Sequence, residues 1–386
     1  MTRPVRVDID LHAVQHNLRQ LLSDAAVLDA SCGSHTGIFV SAKDQAYGHG
    51  LITVAKALCK VSPNIGFALC SLDEALELVA SGIRQPVLLL AGFFTSEELA
   101  LIAQYRFQCV VHDHWQVAEL VRKPLAHPLK VWLKVNTGMN RLGFSPDAML
   151  SVYQQLSACP WVSDIVIMSH LACADQPEHA MNHQQVEHFV QQINTWPNRD
   201  FSLLNSAGVV NFYQNNPCFN RAEFCRSRRK AVHWLRPGLM IYGASPLIKS
   251  YPDNLGLKQA MTLKSRIITL YSAEAGQGVG YGMQYHMPKS GKLAVVAMGY
   301  GDGYPLVPAG TPVLVDGYRA QIVGRVSMDL LALDVSTIPK VHPGSEVIFW
   351  NQQLSMNHIA ERLNVPPHML MTGLNARVRR HYFYSG

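Results

Sequence analysis

IFVSAKDQAYGHG, residues 38–50, begins as a strand and ends as a turn. An apolar, β-branched run leads into Lys43, and polar and glycine residues follow at once. Such runs favour extended backbone, and glycine-containing polar clusters end it. The texture recurs in IGFAL (65–69), PVLLLAG (86–92), QCVVH (108–112), KVWLKV (130–135), DIVIMSH (164–170), FSLLN (201–205) and a short HWLRPG (233–238). Amphipathic stretches lie between these runs. SLDEALELVASG (71–82) carries apolar residues near helical spacing, with Gly82 placed to end a helix. TSEELALIAQ (95–104) opens on Thr95 with Glu98 three residues on, which predicts a capping box. Eight strands alternating with helices over residues 1–245 predict an α/β fold, a (β/α)8 TIM-like barrel. A doubly wound open sheet shows the same alternation, and periodicity alone does not separate the two.

After Tyr242-Gly243 the texture changes. MTLKSRIITLYS, KLAVVAMGY, TPVLVDGYRAQIVGRVSM and SEVIFW follow one another without helices between them. Asp316-Gly317 separates two such runs and predicts a tight hairpin. Residues 246–386 are therefore expected to form a mostly β C-terminal domain, closed by two short helices at 356–363 and 367–374. No internal repeat is visible.

Composition narrows the function classes. Of 386 residues, 48% are hydrophobic and 16% charged, enough for sizeable cores and too apolar for disorder. The formal charge of +6 is mild for this length. The densest basic run, Arg226, Arg228, Arg229 and Lys230, lies in a stretch (213–232) that reads as an exposed insertion. No aromatic-rich platform accompanies it, so no nucleic-acid partner is expected. Acidic residues interrupt the first eighteen positions before any signal-peptide core forms, and no apolar stretch is long enough for a membrane span. A soluble cytoplasmic protein is expected. The eight cysteines include no CxxC pair, so neither a metal site nor a disulfide framework is indicated.

Active sites of such barrels lie at the C-terminal ends of the strands. Lys43, Lys134, His170, Asn205, Ser206 and Arg236 fall on that rim. Together they suggest a pocket for a charged, hydrogen-bonding ligand. Singly they read more blandly. Lys43 could snorkel to solvent as readily as serve as a desolvated amine poised for a Schiff base. His170 could be a satisfied core histidine, and Asn205 and Ser206 could simply cap a helix.

Ordered motifs decide among these readings. AKDQAYGHG (42–50) resembles the pyridoxal-phosphate (PLP) lysine motif of alanine racemases. LKVNTGMNRLGF (133–144), SH (169–170), LNSAG (204–208), LRPGLMIYG (235–243), VGYG (279–282), GYGDGYP (299–305) and VGRVSMD (323–329) match further family segments in the family's order. Each motif is moderately specific; together they cover nearly the whole chain.

The resemblance implies a PLP-binding barrel and a β domain that completes the partner's site in a homodimer. It implies that Lys43 carries PLP and moves a proton at the substrate Cα. Tyr281, from the other subunit, serves as the second base, assisted through His170 and Arg236. Arg236 also faces the pyridine nitrogen. Because an arginine does not surrender its proton, the ring becomes a weaker electron sink, which suits racemisation. Tyr47, Ser206, Gly238 and Leu239 match phosphate-binding positions, with Asn205 and His170 beside the cofactor. Arg141 and the Met328 amide match contacts to the substrate carboxylate. Lys134 matches a lysine that is often carbamylated, although an acid-paired structural lysine fits the position equally. The implied activity is racemisation of L-alanine to D-alanine for peptidoglycan. The alternatives are a broader or serine-preferring racemase, a PLP-dependent decarboxylase, a PLP-binding protein without strong turnover, and an inactive relative.

Four positions depart from the family pattern. Asn136 stands where aspartate is usual, Ser327 where cysteine is common, and His368-Met369 where Tyr-Glu is usual. The last change is expected to alter the substrate pocket.

Overall fold

In the computed structural model, which describes residues 3–32, 35–196, 198–219 and 231–385, the chain enters through β1 (Arg6–Asp10) and a helix, Leu11–Cys32. The basic run Arg226–Lys230 and most of the expected insertion lie outside the described residues. Eight parallel strands follow in chain order: β2 (His35–Ser41), β3 (Gly66–Leu69), β4 (Val87–Leu89), β5 (Gln108–Val111), β6 (Leu129–Lys134), β7 (Val162–Met168), β8 (Phe201–Ser202) and β9 (Val232–Leu235). β9 pairs back onto β2, Leu235 opposite Ile38, so the sheet closes and the open-sheet alternative falls.

The barrel interior is filled, not hollow. Phe39, Trp132 and Trp234 meet inside it, with Phe39 5.3 Å from Trp132 and 5.2 Å from Trp234 between ring centroids. Ala68, Leu88, Val110, Val166 and Met168 complete this plug. The rings need room: a Cβ on Gly37 would stand 2.3 Å from Trp234, and one on Gly66 2.3 Å from Phe39. With the centre closed, chemistry is left to the rim.

The second sheet comprises β10 (Met261–Ala273), β13 (Gly291–Val296), β14 (Pro312–Val315), β15 (Tyr318–Val323), β16 (Leu331–Asp334), β17 (Glu346–Trp350) and β18 (Arg379–Phe383), joined by β1. A small hairpin of β11 (Gly278–Val279) and β12 (Tyr285–His286) lies between β10 and β13 in the chain. The first strand is where the structure departs from the sequence reading, which assigned residues 1–245 to the barrel. β1 lies between β10, antiparallel, and β18, parallel. Its five residues alternate charged and apolar side chains, and its partners are remote in the chain, so no local pattern marks where it docks.

Asp316 and Gly317 form the hairpin between β14 and β15, with φ of 45° and 85°, as a type I′ turn requires. Helices form at Met356–Leu363 and Pro367–Thr372. The capping box on Thr95 does not form. The helix starts at Glu98, whose carboxylate instead accepts from the Phe94 amide at 2.8 Å.

Candidate active site

Lys43 stands two residues past the end of β2, and the strand end is tied on both sides. Ser41 N donates to Pro237 O at 2.7 Å and Ala42 N to Ala68 O at 3.0 Å. Asp44, Gln45, Ala46 and Tyr47 then adopt φ between 52° and 55°, a left-handed turn made without glycine. Such backbone costs about 1–2 kcal/mol per L-residue, so it persists only where its surroundings hold it. The Asp44 amide donates to the Glu74 carboxylate, and Gln45 Nε2 to Glu77 at 2.9 Å. Arg380 Nε, from β18, donates to Gly48 O at 2.6 Å. Gly48 itself, at φ 76°, lies so close to the Met371 carbonyl that a Cβ would come within 2.3 Å. Both the barrel and the β domain therefore clamp the turn that aims Lys43. Glu74 and Arg380 escaped the sequence reading. The signal for Glu74 was present in Ser71-x-x-Glu74, where Ser71 caps the helix Leu72–Ala80 by accepting from the Glu74 amide.

Arg236 lies buried at the end of β9, the neighbour of β2. Its guanidinium donates to Ser169 O at 2.6 Å, to Leu203 O at 3.3 Å and to the Ser202 hydroxyl, and stands 3.3 Å from His170 Nδ1. An arginine can only donate, so His170 accepts with Nδ1. Desolvation holds His170 well below its ordinary value, and the charges of Arg236, Lys134, Arg141 and Lys43 press it further in the same direction. The ring is therefore neutral. Burial brings Arg236 down to about 9, still protonated at neutral pH. Lys134, at the end of β6, falls to about 7 through burial and the neighbouring charges of Arg236, Arg141 and Lys43. None of Arg236's hydrogen bonds among the described residues goes to a carboxylate. The mouth thus holds an excess of positive charge suited to an anionic ligand.

A second group of donors faces the same mouth. Ser206 Oγ accepts from the Gly238 amide at 2.8 Å and from the Met240 amide at 3.4 Å. A Cβ on Gly238 would meet Tyr47 Oη at 2.6 Å. Glycine here lets the phenol approach the backbone, and Leu239 opens the short turn that follows. Asn205 caps the helix Ser206–Tyr213, its Oδ1 accepting from Gly208 N at 2.9 Å, while its Nδ2 donates to Leu171 O at 3.4 Å and lies 3.5 Å from His170 Nε2. The capping and site readings of Asn205 therefore combine in one side chain. His368 packs its edge on Tyr47 at 6.2 Å, and partial burial and Lys43 lower its pKa.

Arg141 stands exposed at the rim, in the loop that Asn136 organises. Asn136 Oδ1 accepts from the Gly138 and Asn140 amides at 3.1 and 3.0 Å, and its Nδ2 donates to Asn140 Oδ1 at 3.0 Å. An aspartate could accept both amides but could not make the donation, so Asn136 is matched to Asn140. Neither Tyr281 nor Met328 is joined to this group by a hydrogen bond among the described residues. They stand on the β domain, 70% and 55% exposed.

This arrangement has known counterparts. The family model for the alanine racemase N-terminal domain matches residues 9–246, and that for the C-terminal domain matches 260–382. Catabolic alanine racemases of Pseudomonas putida and Klebsiella aerogenes are each 40% identical, over 98% of this chain and 99% of their own. The biosynthetic alanine racemase of Pseudomonas aeruginosa superposes with a TM-score of 0.89 at 36% identity, covering 99% of this chain and 100% of that one. An alanine racemase from Bartonella henselae with covalently bound pyridoxal phosphate superposes at 0.82 with 25% identity, over 99% and 100%. Family models spanning barrel and β domain alike, with relatives matched from end to end, establish that the chain belongs to the alanine racemase family.

Proposed function

We propose that this PLP-dependent isomerase interconverts L- and D-alanine by a two-base mechanism shared between two subunits. The observation that carries the reading is the group of cations Arg236, Lys134 and Arg141 that act on one another together with Lys43, whose following turn is clamped. These residues fit PLP. Lys43 would supply the amine, Tyr47, Ser206, Gly238 and Leu239 the phosphate donors, and Arg236 a fixed donor for the ring nitrogen, with His170 and Asn205 alongside. When bound, PLP acidifies the substrate Cα–H by drawing its electron pair toward the ring.

The chain's own residues do the rest. Arg141 and the partner subunit's Met328 amide hold the substrate carboxylate, which fixes the Cα–H direction. Lys43 takes or returns the proton on one face of Cα, and the partner subunit's Tyr281 does so on the other. A tyrosine with its ordinary pKa near 10 is a poor base. Neutral His170, held by Arg236 at Nδ1, can relay a hydrogen bond toward it. Arg236 keeps its proton, which favours prompt return of the proton to Cα. Residues 1–245 then act as the PLP barrel and 246–386, with β1, as the domain completing the partner's site.

Lys134 has a neutral amine fraction at pH 7, with Arg141 and Arg236 close by in charge. That supports its carbamylation, since a carbamate would balance the two arginines. His368, against Tyr47, is assigned to substrate selectivity, with relaxation toward serine. Among the described residues no helix is long and apolar enough to cross a membrane, which accords with a cytoplasmic enzyme. Supply of D-alanine for peptidoglycan is one role. The relatives named catabolic support a second, in which the enzyme feeds alanine breakdown.

The test is D-alanine formation from L-alanine by the PLP-loaded protein, with Lys43→Ala and Tyr281→Phe alongside and L-serine as competitor. Turnover lost in both variants supports the two-base reading. A protein that binds PLP through Lys43 yet racemises nothing overturns it. Rescue of a D-alanine auxotroph separates the biosynthetic role from the catabolic one.

A further inference from the structure

Arg3 and Arg377, near opposite ends of the chain, meet on one carboxylate. Asp302 is fully buried. It accepts from Arg3 Nη2 at 2.8 Å, from Arg377 Nε at 2.8 Å and from the Gly299 amide at 3.0 Å. Arg377 also reaches Asp329 Oδ1 at 2.7 Å, one residue beyond Met328. The two loops so bridged are stitched through their backbones, with Tyr300 N donating to Ser327 O at 3.1 Å and Gly301 N to Met328 O at 2.8 Å. A Cβ on Gly301 would stand 2.6 Å from Arg377 Nη2 and 2.9 Å from Met328 O, so the fit leaves no slack.

This construction contrasts with what it carries. The peptide around Met328 is braced by an ion network centred on one buried carboxylate, while Met328 and Tyr300 stand 55% and 46% exposed. Burying a carboxylate between two guanidinium groups is a poor route to stability, because desolvation offsets most of the attraction. What a satisfied network does secure is one geometry. We propose that Arg3, Asp302, Arg377 and Asp329 are positioning residues that hold the Met328 peptide for the substrate carboxylate in the other subunit. The inference rests on the shared-site reading above.

Mixed dimers test it. Differently tagged Lys43→Ala and Tyr281→Phe chains are co-expressed and purified through both tags, leaving one complete site. That site takes its β-domain loops from the Lys43→Ala chain. Asp302→Asn on that chain is expected to raise KM for L-alanine on the order of tenfold with little change in kcat, the mark of a weakened substrate contact. The same substitution on the Tyr281→Phe chain, whose loops face the dead site, is expected to raise it far less. Arg377→Gln, at a half-exposed side chain, provides a milder second variant if Asp302→Asn fails to fold. Amide exchange at Tyr300 and Gly301 in the cofactor-free protein is expected to quicken in either variant. Equal KM effects in both arrangements, no KM effect in either, or unchanged exchange overturns the inference alone. A doubly tagged parent pair with no activity overturns the shared-site reading, and this inference with it.

Discussion

The mouth of the barrel and the loops of the β domain hold polar groups in opposite environments. In the barrel, Lys134 and Arg236 are each 5% exposed and lie among other cations, and Arg236 is fixed by backbone carbonyls and a hydroxyl. On the β domain, Tyr281 is 70% exposed. One half of the proposed site is finished by folding: its charges are desolvated and its lysine turn is clamped. The other half has a braced backbone under open side chains. Burial that tunes a titrating group comes from the surrounding fold, so a tyrosine proposed as a base but left in solvent awaits a second surface. The asymmetry thus supports a site completed between subunits.

The sharpest way to break the comparison is to empty each half in turn. Lys43→Ala and Tyr281→Phe are each expected to lower kcat by about a thousandfold or more, the scale of a lost acid–base group. Only the first should abolish covalent PLP retention, seen as loss of the visible absorbance. Mixing the two chains should restore one site per heterodimer; no recovery despite proven exchange would sink the shared site.

A second effect belongs to the barrel half alone. The folded pKa of Lys134, about 7, lies below the ~10.4 of an unfolded lysine. Between these values the unfolded chain binds the extra proton, so stability rises with pH across that window, and the penalty of burying the charge is complete below pH 7. In CO2-free buffer Lys134→Met should therefore stabilise the protein by ~2 kcal/mol near pH 6 and by much less near pH 10. A gain in Tm independent of pH would show that the amine is not desolvated. With bicarbonate present, intact mass should reveal the carbamate on the parent chain and not on the variant.

Smaller effects probe the clamp and the rim. Glu74→Ala removes the acceptor for the Asp44 and Cys70 amides and should cost about 1–2 kcal/mol, read as a lower Tm and faster PLP loss. Were cofactor retention unaffected, the turn would be holding itself. His368→Tyr should change the alanine-to-serine ratio of kcat/KM by only a few-fold, as expected for one side chain at a pocket edge. An unchanged ratio would remove His368 from selectivity.

Much of this was legible before folding was considered. The eight barrel strands appear as apolar runs ending in polar residues, and Asp316-Gly317 announces its hairpin, because both are short-range preferences of the backbone. Lys43, His170, Asn205, Ser206 and Arg236 were marked by their place at strand ends and by ordered motifs. Other features were invisible for a common reason. The capping box at Thr95 lost to a bond between Glu98 and the Phe94 amide, a competition that local pattern does not resolve. The left-handed turn after Lys43 contains no glycine to betray it, and its support comes from Glu74 and from Arg380, on a strand at the far end of the chain.

By itself, then, the sequence determined the alternation of strands and helices, the turns, and which residue types stand at which strand ends. Only the tertiary structure decided that β1 joins the sheet of the second domain, that Lys134 and His170 lose their charge preference, and that Arg3 and Arg377 converge on Asp302. Alternation and turn chemistry are set within a few residues of chain. Desolvation and ion pairing depend on which distant segments the closed barrel and the curled sheet bring into one volume.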